Sequence, residues 1–208
     1  MESGETRRLE ALSDGVFAIV ITLLILEIRV IRVPVGESSE RDLLAALIEQ
    51  WPSYLAFLAS FATVGIMWMN HRRLFNLIGR ADNTLLILNL LLLLAVTVFP
   101  FPTALVAEHI GQPGERVAAV LYTGMGVLLA IFFNALWRYA AWKNRLLRED
   151  ADPLLVRTIS TSYLFGPLVY LLTVGLAFVN VPASLLVTIA LAAFFALPPR
   201  NFLVRALR

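Results

Sequence analysis

The sequence predicts an all-α integral membrane protein of six transmembrane helices in a single repeat. Two observations carry that reading. Of the 208 residues 59% are hydrophobic and 15% charged, with a mean hydropathy of +0.79, too apolar for a soluble domain of this length. The charges also gather into short clusters, leaving uncharged runs over 50–70, 83–107, 117–137 and 158–199.

The expected spans are 9–31, 51–71, 83–107, 117–142, 158–179 and 183–200, with about 20 apolar residues needed for each crossing. The last uncharged run is long enough for two, and Asn180-Val181-Pro182 supplies the turn of a tight hairpin. Between the first and second spans, RDLLAALIEQ (41–50) reads as a short amphipathic helix on the outer surface, ahead of Trp51-Pro52. Five spans plus an interfacial opening helix is the alternative arrangement.

Orientation follows from the loops, where cytoplasmic segments carry an excess of Arg and Lys. With the N-terminus inside, thirteen of the seventeen Arg and Lys residues lie on the cytoplasmic side. Both termini are therefore expected in the cytoplasm of a multi-pass plasma-membrane protein. The acidic MESGETRRLE ahead of the first apolar run predicts no cleaved signal peptide.

Composition also excludes chemistry. Without cysteine there is no disulfide and no thiolate metal site. Two histidines, His71 and His109, are too few for a metal cluster, so no metal site or cofactor is expected. No paired catalytic set lies at membrane depth, so the chain does not read as an enzyme, nor does it point to a nucleic-acid partner. A secondary transporter would carry inverted repeats and broken helices at the midplane, and neither is evident. A non-conducting membrane scaffold remains compatible with the composition.

The opening helix poses a problem. Asp14 and Glu27 leave twelve uncharged residues between them, about 18 Å of helix against a hydrocarbon core of about 30 Å. At 100° per residue, Ile19, Leu23 and Leu26 fall on one stripe, extended by Leu12 and Val30 and flanked by Gly15 and Thr22. Phe17, Ile21, Leu24, Ile28 and Asp14 take the opposite face. A helix apolar all round is expected to be enclosed by protein.

A carboxylate near membrane depth marks a functional or structural site. One reading makes Ser13-Asp14 a cap or anchor at the cytoplasmic end of the helix. The other has Asp14 bonded to polar groups of neighbouring helices, with Trp68, Asn70, His71 and Asn89 as candidates. His71 reads as a structural hydrogen-bond partner rather than a pH sensor or ligand. Arg8, on the stripe side, is expected to be tied to Glu10 or Asp82.

Arg8-Leu-Glu-Ala-Leu12-Ser13-Asp14-Gly15-Val16-Phe17-Ala18-Ile19, followed by Thr22-Leu-Leu-Ile-Leu26-Glu27, resembles the R-x-x-x-F-S-D signature of the transmembrane protein 175 family of potassium channels. Leu12 stands where that motif has Phe. Trp51-Pro52, WMNHRRLF (68–75), LNLLLLL (88–94) and FPFPT (99–103) match as well. The resemblance covers the first half of the chain by motif and the rest by hydropathy alone.

The resemblance implies a homotetramer in which the first helix of each copy lines a central pore. By position it gives Ile19, Leu23 and Leu26 as pore-lining collars and Thr22 as the residue associated with potassium preference. The expected activity is passive K+ permeation, potassium being permeant rather than cofactor, with the protein's own copies and the lipid bilayer as its partners. Apolar collars can gate by dewetting, and no T-V-G-Y-G carbonyl filter is present. Glu27 reads either as an outer-mouth carboxylate or as an interfacial residue paired with Arg29 or Arg32. Thr63-Val-Gly65 and Thr173-Val-Gly175 read as helix-packing segments.

Overall fold

The computed structural model describes residues 4–31 and 40–196, with the Ala196 side chain left aside. Among these residues the chain is all-helical: α1 (Gly4–Leu23), α2 (Glu40–Glu49), α3 (Trp51–Phe75), α4 (Asn83–Val98), α5 (Pro100–His109), α6 (Glu115–Ala141), α7 (Pro153–Ala177) and α8 (Val181–Ala196). Five stretches are long and apolar enough to cross a membrane: Gly4–Glu27, Trp51–Phe75, Asn83–His109, Glu115–Asn144 and Pro153–Ala177. The apolar helix of the hairpin that follows α7 is shorter over its described part, and the expected stretch 197–200 lies outside the described residues. α2 occupies the segment expected to form an amphipathic helix, with Leu44 and Ile48 exposed.

The helices depart from the expected spans where the local chemistry demands it. α1 starts by Gly4 and gives way at Leu24 to a 3₁₀ turn, Leu24–Glu27, which ends as Ile28 turns extended. The expected span 83–107 is not continuous. Pro100 has no N–H to donate, so the α4 ladder stops at Phe99 and α5 starts anew with Pro100 in its first turn. The Val96 carbonyl, which a residue 100 amide would have served, accepts from the Phe99 amide at 3.1 Å instead, and the Phe99 carbonyl accepts from the Thr103 amide at 3.4 Å and the Thr103 hydroxyl at 3.0 Å. Ser60 of α3 then donates to Thr103 Oγ1 at 2.8 Å and lies 3.3 Å from the Tyr122 hydroxyl of α6. A broken span is thus sealed by buried hydroxyls. α7 begins at Pro153 rather than near Thr158 because Asp152 caps it, accepting from the Leu154 amide at 2.9 Å.

α1 packs against α3 and α4, and α6 against α4, α5, α7 and α8. In lipid such packing draws on shape fit and internal hydrogen bonding, since the surroundings are as apolar as the core. Pro167 inside α7 illustrates the constraint. Its missing N–H would orphan the carbonyl of Tyr163, four residues back. The Asn134 side-chain amide of α6 donates to that carbonyl. One turn further along the pair, Trp137 Nε1 donates to Ser160 Oγ at 2.9 Å.

At the end of the bundle where α1 begins, two loops are knitted together. The Gly79 amide donates to Leu146 O at 2.9 Å, the Arg148 amide to Leu77 O at 2.9 Å, and Ile78 and Leu147 form an antiparallel bridge. Gly79 is required by the close approach: a Cβ there would lie 2.9 Å from Arg148 Cγ and 3.2 Å from its Cα. Beside this clip Asp82 caps α4 through the Leu85 amide at 2.9 Å. It also accepts from the Tyr139 hydroxyl at 2.7 Å and Arg145 at 3.0 Å. Burial pushes the Asp82 carboxyl up, but these three donors outweigh it and hold it below its ordinary value.

Two expectations follow. Asn134→Leu should cost about 1–2 kcal/mol in thermal unfolding, by orphaning a carbonyl in a dry site. Combined with Pro167→Ala, which restores the helical donor, it should cost markedly less. Equal costs in both backgrounds would show that Asn134 serves something other than the proline break. For Asp82 the depressed carboxyl contributes stability that is present above the unfolded value of about 3.9 and lost as pH falls through the folded one. Melting temperature against pH should therefore be flatter for Asp82→Asn than for the wild type on the acid side.

Candidate functional site

The first helix presents two faces to different surroundings. Leu9, Ser13, Phe17, Val20 and Leu24 are buried on one flank, repeating every three or four residues as a helix in contact with neighbours requires. On the other, Leu12, Ile19, Leu23 and Leu26 form an apolar stripe exposed on the single chain, with Ile19 60% and Leu26 70% accessible. Ile25 is exposed too, so the helix is not enclosed all round by its own chain. The turn to 3₁₀ geometry at Leu24 re-aims Leu26 and Glu27 relative to a continuous α-helix, since residues there advance by about 120°.

Thr22 is exposed beside the stripe. Its hydroxyl lies 2.8 Å from Ile19 O and 3.1 Å from Ala18 O, so its proton is spent on the helix backbone. The oxygen lone pairs are left to accept from water or to face a cation.

The buried flank is held by a directed chain of hydrogen bonds. His71 Nε2 is 2.8 Å from Asn89 Oδ1, Asn89 Nδ2 donates to Ser13 Oγ at 3.0 Å, and Ser13 Oγ donates to Leu9 O at 2.8 Å. An amide oxygen only accepts, so His71 carries its proton on Nε2 in this arrangement. The ring stacks on Phe75 at 4.3 Å between centroids and meets Phe17 at 5.6 Å. Three helices, α1, α3 and α4, are thereby joined through groups 0–1% accessible.

Asp14 has a different partner. Trp68 Nε1 donates to its Oδ1 at 2.7 Å, and the Arg72 guanidinium lies 5.9 Å from the centre of the same indole. Of the four candidate partners only Trp68 holds Asp14 directly; His71 and Asn89 serve Ser13 instead, and Asn70 accepts from Arg73 at 3.4 Å. The capping reading of Ser13-Asp14 fails, because α1 is already helical from Gly4 and both residues sit in its interior. Ser13, a residue of the motif expected to form a structural network with Trp68, His71 and Asn89, bonds Asn89 directly, and its i+4 spacing from Leu9 and to Phe17 puts it on the buried flank.

The ends of the helix are also pinned differently from expectation. Arg29 pairs with Glu108 of α5 rather than with Glu27, and its carbonyl accepts from Gln50 Nε2 at 2.8 Å. Arg32 lies outside the described residues. Asp82 is engaged by Arg145 and Tyr139, not by Arg8, although Arg8 and Asp82 line one cleft beside Leu12. No cluster of three or more His, Cys, Asp and Glu suited to a metal occurs among the described residues.

Comparison with known proteins adds an independent view. The model of a family described as the endosomal/lysosomal potassium channel TMEM175 matches residues 8–100. A potassium channel of Chamaesiphon minutus is 49% identical over 196 residues, 94% of this chain and 96% of that protein. The endosomal/lysosomal proton channel TMEM175 of Gallus gallus is 37% identical over 146 residues, covering 68% of this chain and 28% of that one. The crystal structure of a lysosomal potassium-selective channel TMEM175 homologue from Chamaesiphon minutus superposes with a TM-score of 0.84. It is 45% identical and covers 96% of this chain and all of that one, 100%.

Removing the amide at the centre of the buried network should be costly. Asn89→Leu leaves Ser13 and His71 without their partner and should lower stability by about 1–2 kcal/mol, read as a fall in melting temperature in detergent. Asp14→Ala, which breaks one bond at an exposed carboxylate, should cost less. The reverse ranking would make Asp14 rather than Ser13 the anchor of the helix.

Proposed function

The chain belongs to the TMEM175 family, a family of ion channels rather than enzymes, and from that premise we propose that it is a potassium-permeable cation channel built as a homotetramer. Its pore is lined by the first helix of each copy, and both termini lie on the cytoplasmic side of the plasma membrane. The observation that carries this reading is the exposed stripe of Ile19, Leu23 and Leu26 on a helix whose other flank is fixed by the Ser13–Asn89–His71 chain. One helix cannot surround an ion, so rotational symmetry must close the ring.

Four copies of the stripe make stacked apolar collars. Narrow collars expel water and stop conduction, and slightly wider ones hydrate and pass ions. Thr22, with its proton on Ile19 and Ala18 carbonyls, offers oxygen lone pairs beside the collars and is the proposed contributor to preference for K+ over Na+. Glu27, at the end of the 3₁₀ turn, is the proposed outer-mouth carboxylate that raises local cation concentration.

The rival of a secondary transporter gains a broken helix at Phe99–Pro100, but not the free helix ends such a site uses. The Phe99 carbonyl is already taken by Thr103. A proton-conducting role has no side-chain relay along the stripe, because no titratable residue lies between Asp14 and Glu27.

Flux through purified protein in liposomes tests the reading, with K+ and H+ measured in parallel. Potassium flux that exceeds proton flux is the expected result; none from well-folded protein would rule out a conducting role. Ile19→Asn, by wetting a collar, should raise conductance or loosen selectivity. Thr22→Val should narrow the ratio of K+ to Na+ permeability and leave folding intact. If substitutions at Ile19, Leu23 and Leu26 all leave conductance and selectivity untouched, the first helix does not line the pore.

A further inference from the structure

A second site lies away from the stripe, at the end of the bundle where α6 hands over to α7. An open cup of about 600 Å³ is lined by Arg80, Arg145, Arg148 and Arg157, with Asn144 and Glu149 among its polar walls. Four guanidiniums face one carboxylate there, and their placement is structural. The Gly79–Leu146 and Leu77–Arg148 backbone bonds fix Arg80 and Arg148 on adjoining loops. Arg145 is held over the Tyr139 ring at 4.5 Å while bonded to Asp82. Lys143 and Asn144 turn the chain with φ of 53° and 55°, a conformation few side chains adopt and one that the clip holds in place.

Neither Glu149 on the cup nor Asp150 next to it in sequence fills it. Glu149 and Asp150, partners of Arg80 and Arg148 at 3.3 and 3.1 Å, are 91% and 76% accessible. Ion pairs that exposed are weak and readily exchanged for a stronger anion. Arg157 makes no ion pair with any described residue and stands one turn inside α7.

Exposed apolar side chains neighbour the cup's lining residues in sequence. Trp142, two residues before Asn144, and Leu154, next to Pro153, are 66% and 72% accessible. Both sit where apolar α6 ends and apolar α7 begins, and indole rings favour the boundary between acyl chains and headgroups. Guanidiniums gathered at the junction of two apolar helices match one ligand chemistry: a phosphate carried on a lipid. Basic pockets between transmembrane helices bind anionic headgroups in this way.

We propose that this cup binds the phosphate headgroup of an anionic phospholipid, with Arg80, Arg148 and Arg157 on the phosphate and Trp142 and Leu154 against its acyl chains. Guanidiniums suit the task because each offers several N–H donors in a fixed fork. The site depends on neither the ion conducted nor the number of copies in the assembly.

The test is native mass spectrometry of the purified full chain with added phosphatidylglycerol or phosphatidylcholine. Phosphatidylglycerol is expected to be retained in preference. Arg157→Gln should weaken its retention about fivefold, the worth of one surface cation near an anionic lipid, and Arg80→Gln with Arg157→Gln about 25-fold. Arg138→Gln, on α6 and outside the cup, should leave retention unchanged. Retention in the double variant equal to wild type, or equal retention of both lipids, overturns the assignment. Inorganic phosphate at matching concentration should not displace the lipid; if it does, the cup reads a free anion and the lipid assignment falls.

Discussion

One buried polar chain fixes the geometry on which everything else depends. Ser13, Asn89 and His71 come from three different helices and are nearly inaccessible. In a dry interior each donor and acceptor must find a partner, and this set leaves little choice of arrangement. The amide of Asn89 must present its oxygen to His71 and its nitrogen to Ser13, which fixes the rotation of α1 about its own axis. Rotating α1 by one residue would carry Ser13 about 100° away from Asn89 and swing Phe17 off the His71 ring. The outward aim of Ile19 and Leu23 is therefore set by atoms on the far side of the helix.

The same rule shapes the places where helices break. Pro100 and Pro167 both remove a backbone donor, and in both cases another donor answers the loss: the Phe99 amide for the Val96 carbonyl, the Asn134 side chain for that of Tyr163. The breaks are useful as well as tolerated. The turn at Phe99 lets α5 lie against the 3₁₀ end of the first helix, where Glu108 meets Arg29. The Leu26 end of the stripe is thus gripped from α5 and from Gln50, while the half nearer Asp14 is gripped by α3 and α4.

Much of this architecture was legible in the sequence, for identifiable reasons. The stripe at Ile19, Leu23 and Leu26 could be isolated because a helical period sorts residues into faces without any knowledge of neighbours. The Asn180–Pro182 turn was legible because chain-breaking residues interrupt an otherwise unpunctuated run. Partner choice was not. Asp14 had four plausible partners, and the selection of Trp68 depends on how α1 and α3 cross, which no local pattern encodes. Ser13 looked like a cap because its chemistry suits one; only the start of α1 at Gly4 places it in the interior. FPFP was visible at 99–102, yet uniform hydropathy across 83–107 masked the break, since hydropathy is blind to a missing N–H. The Asp82–Tyr139–Arg145 cluster joins residues more than fifty positions apart, beyond any sequence period.

The short apolar stretch between Asp14 and Glu27 now has a physical account. About 18 Å of apolar helix is too little for a span bathed in lipid, but the carboxylates at its ends are not abandoned there. Asp14 is bonded to an indole that also faces Arg72, and Glu27 ends a 3₁₀ turn followed at once by the anchored Arg29. Polar groups so close together need water or partners near both ends. In the proposed symmetric assembly a central helix meets that need, because aqueous vestibules would reach inward along the axis. In the proposed channel the length of the apolar stretch sets the length of the dry barrier an ion must cross. Within it the exposed Ile19, Leu23 and Leu26 side chains occupy almost the whole interval, leaving the Thr22 hydroxyl oxygen as the one polar side-chain group beside them.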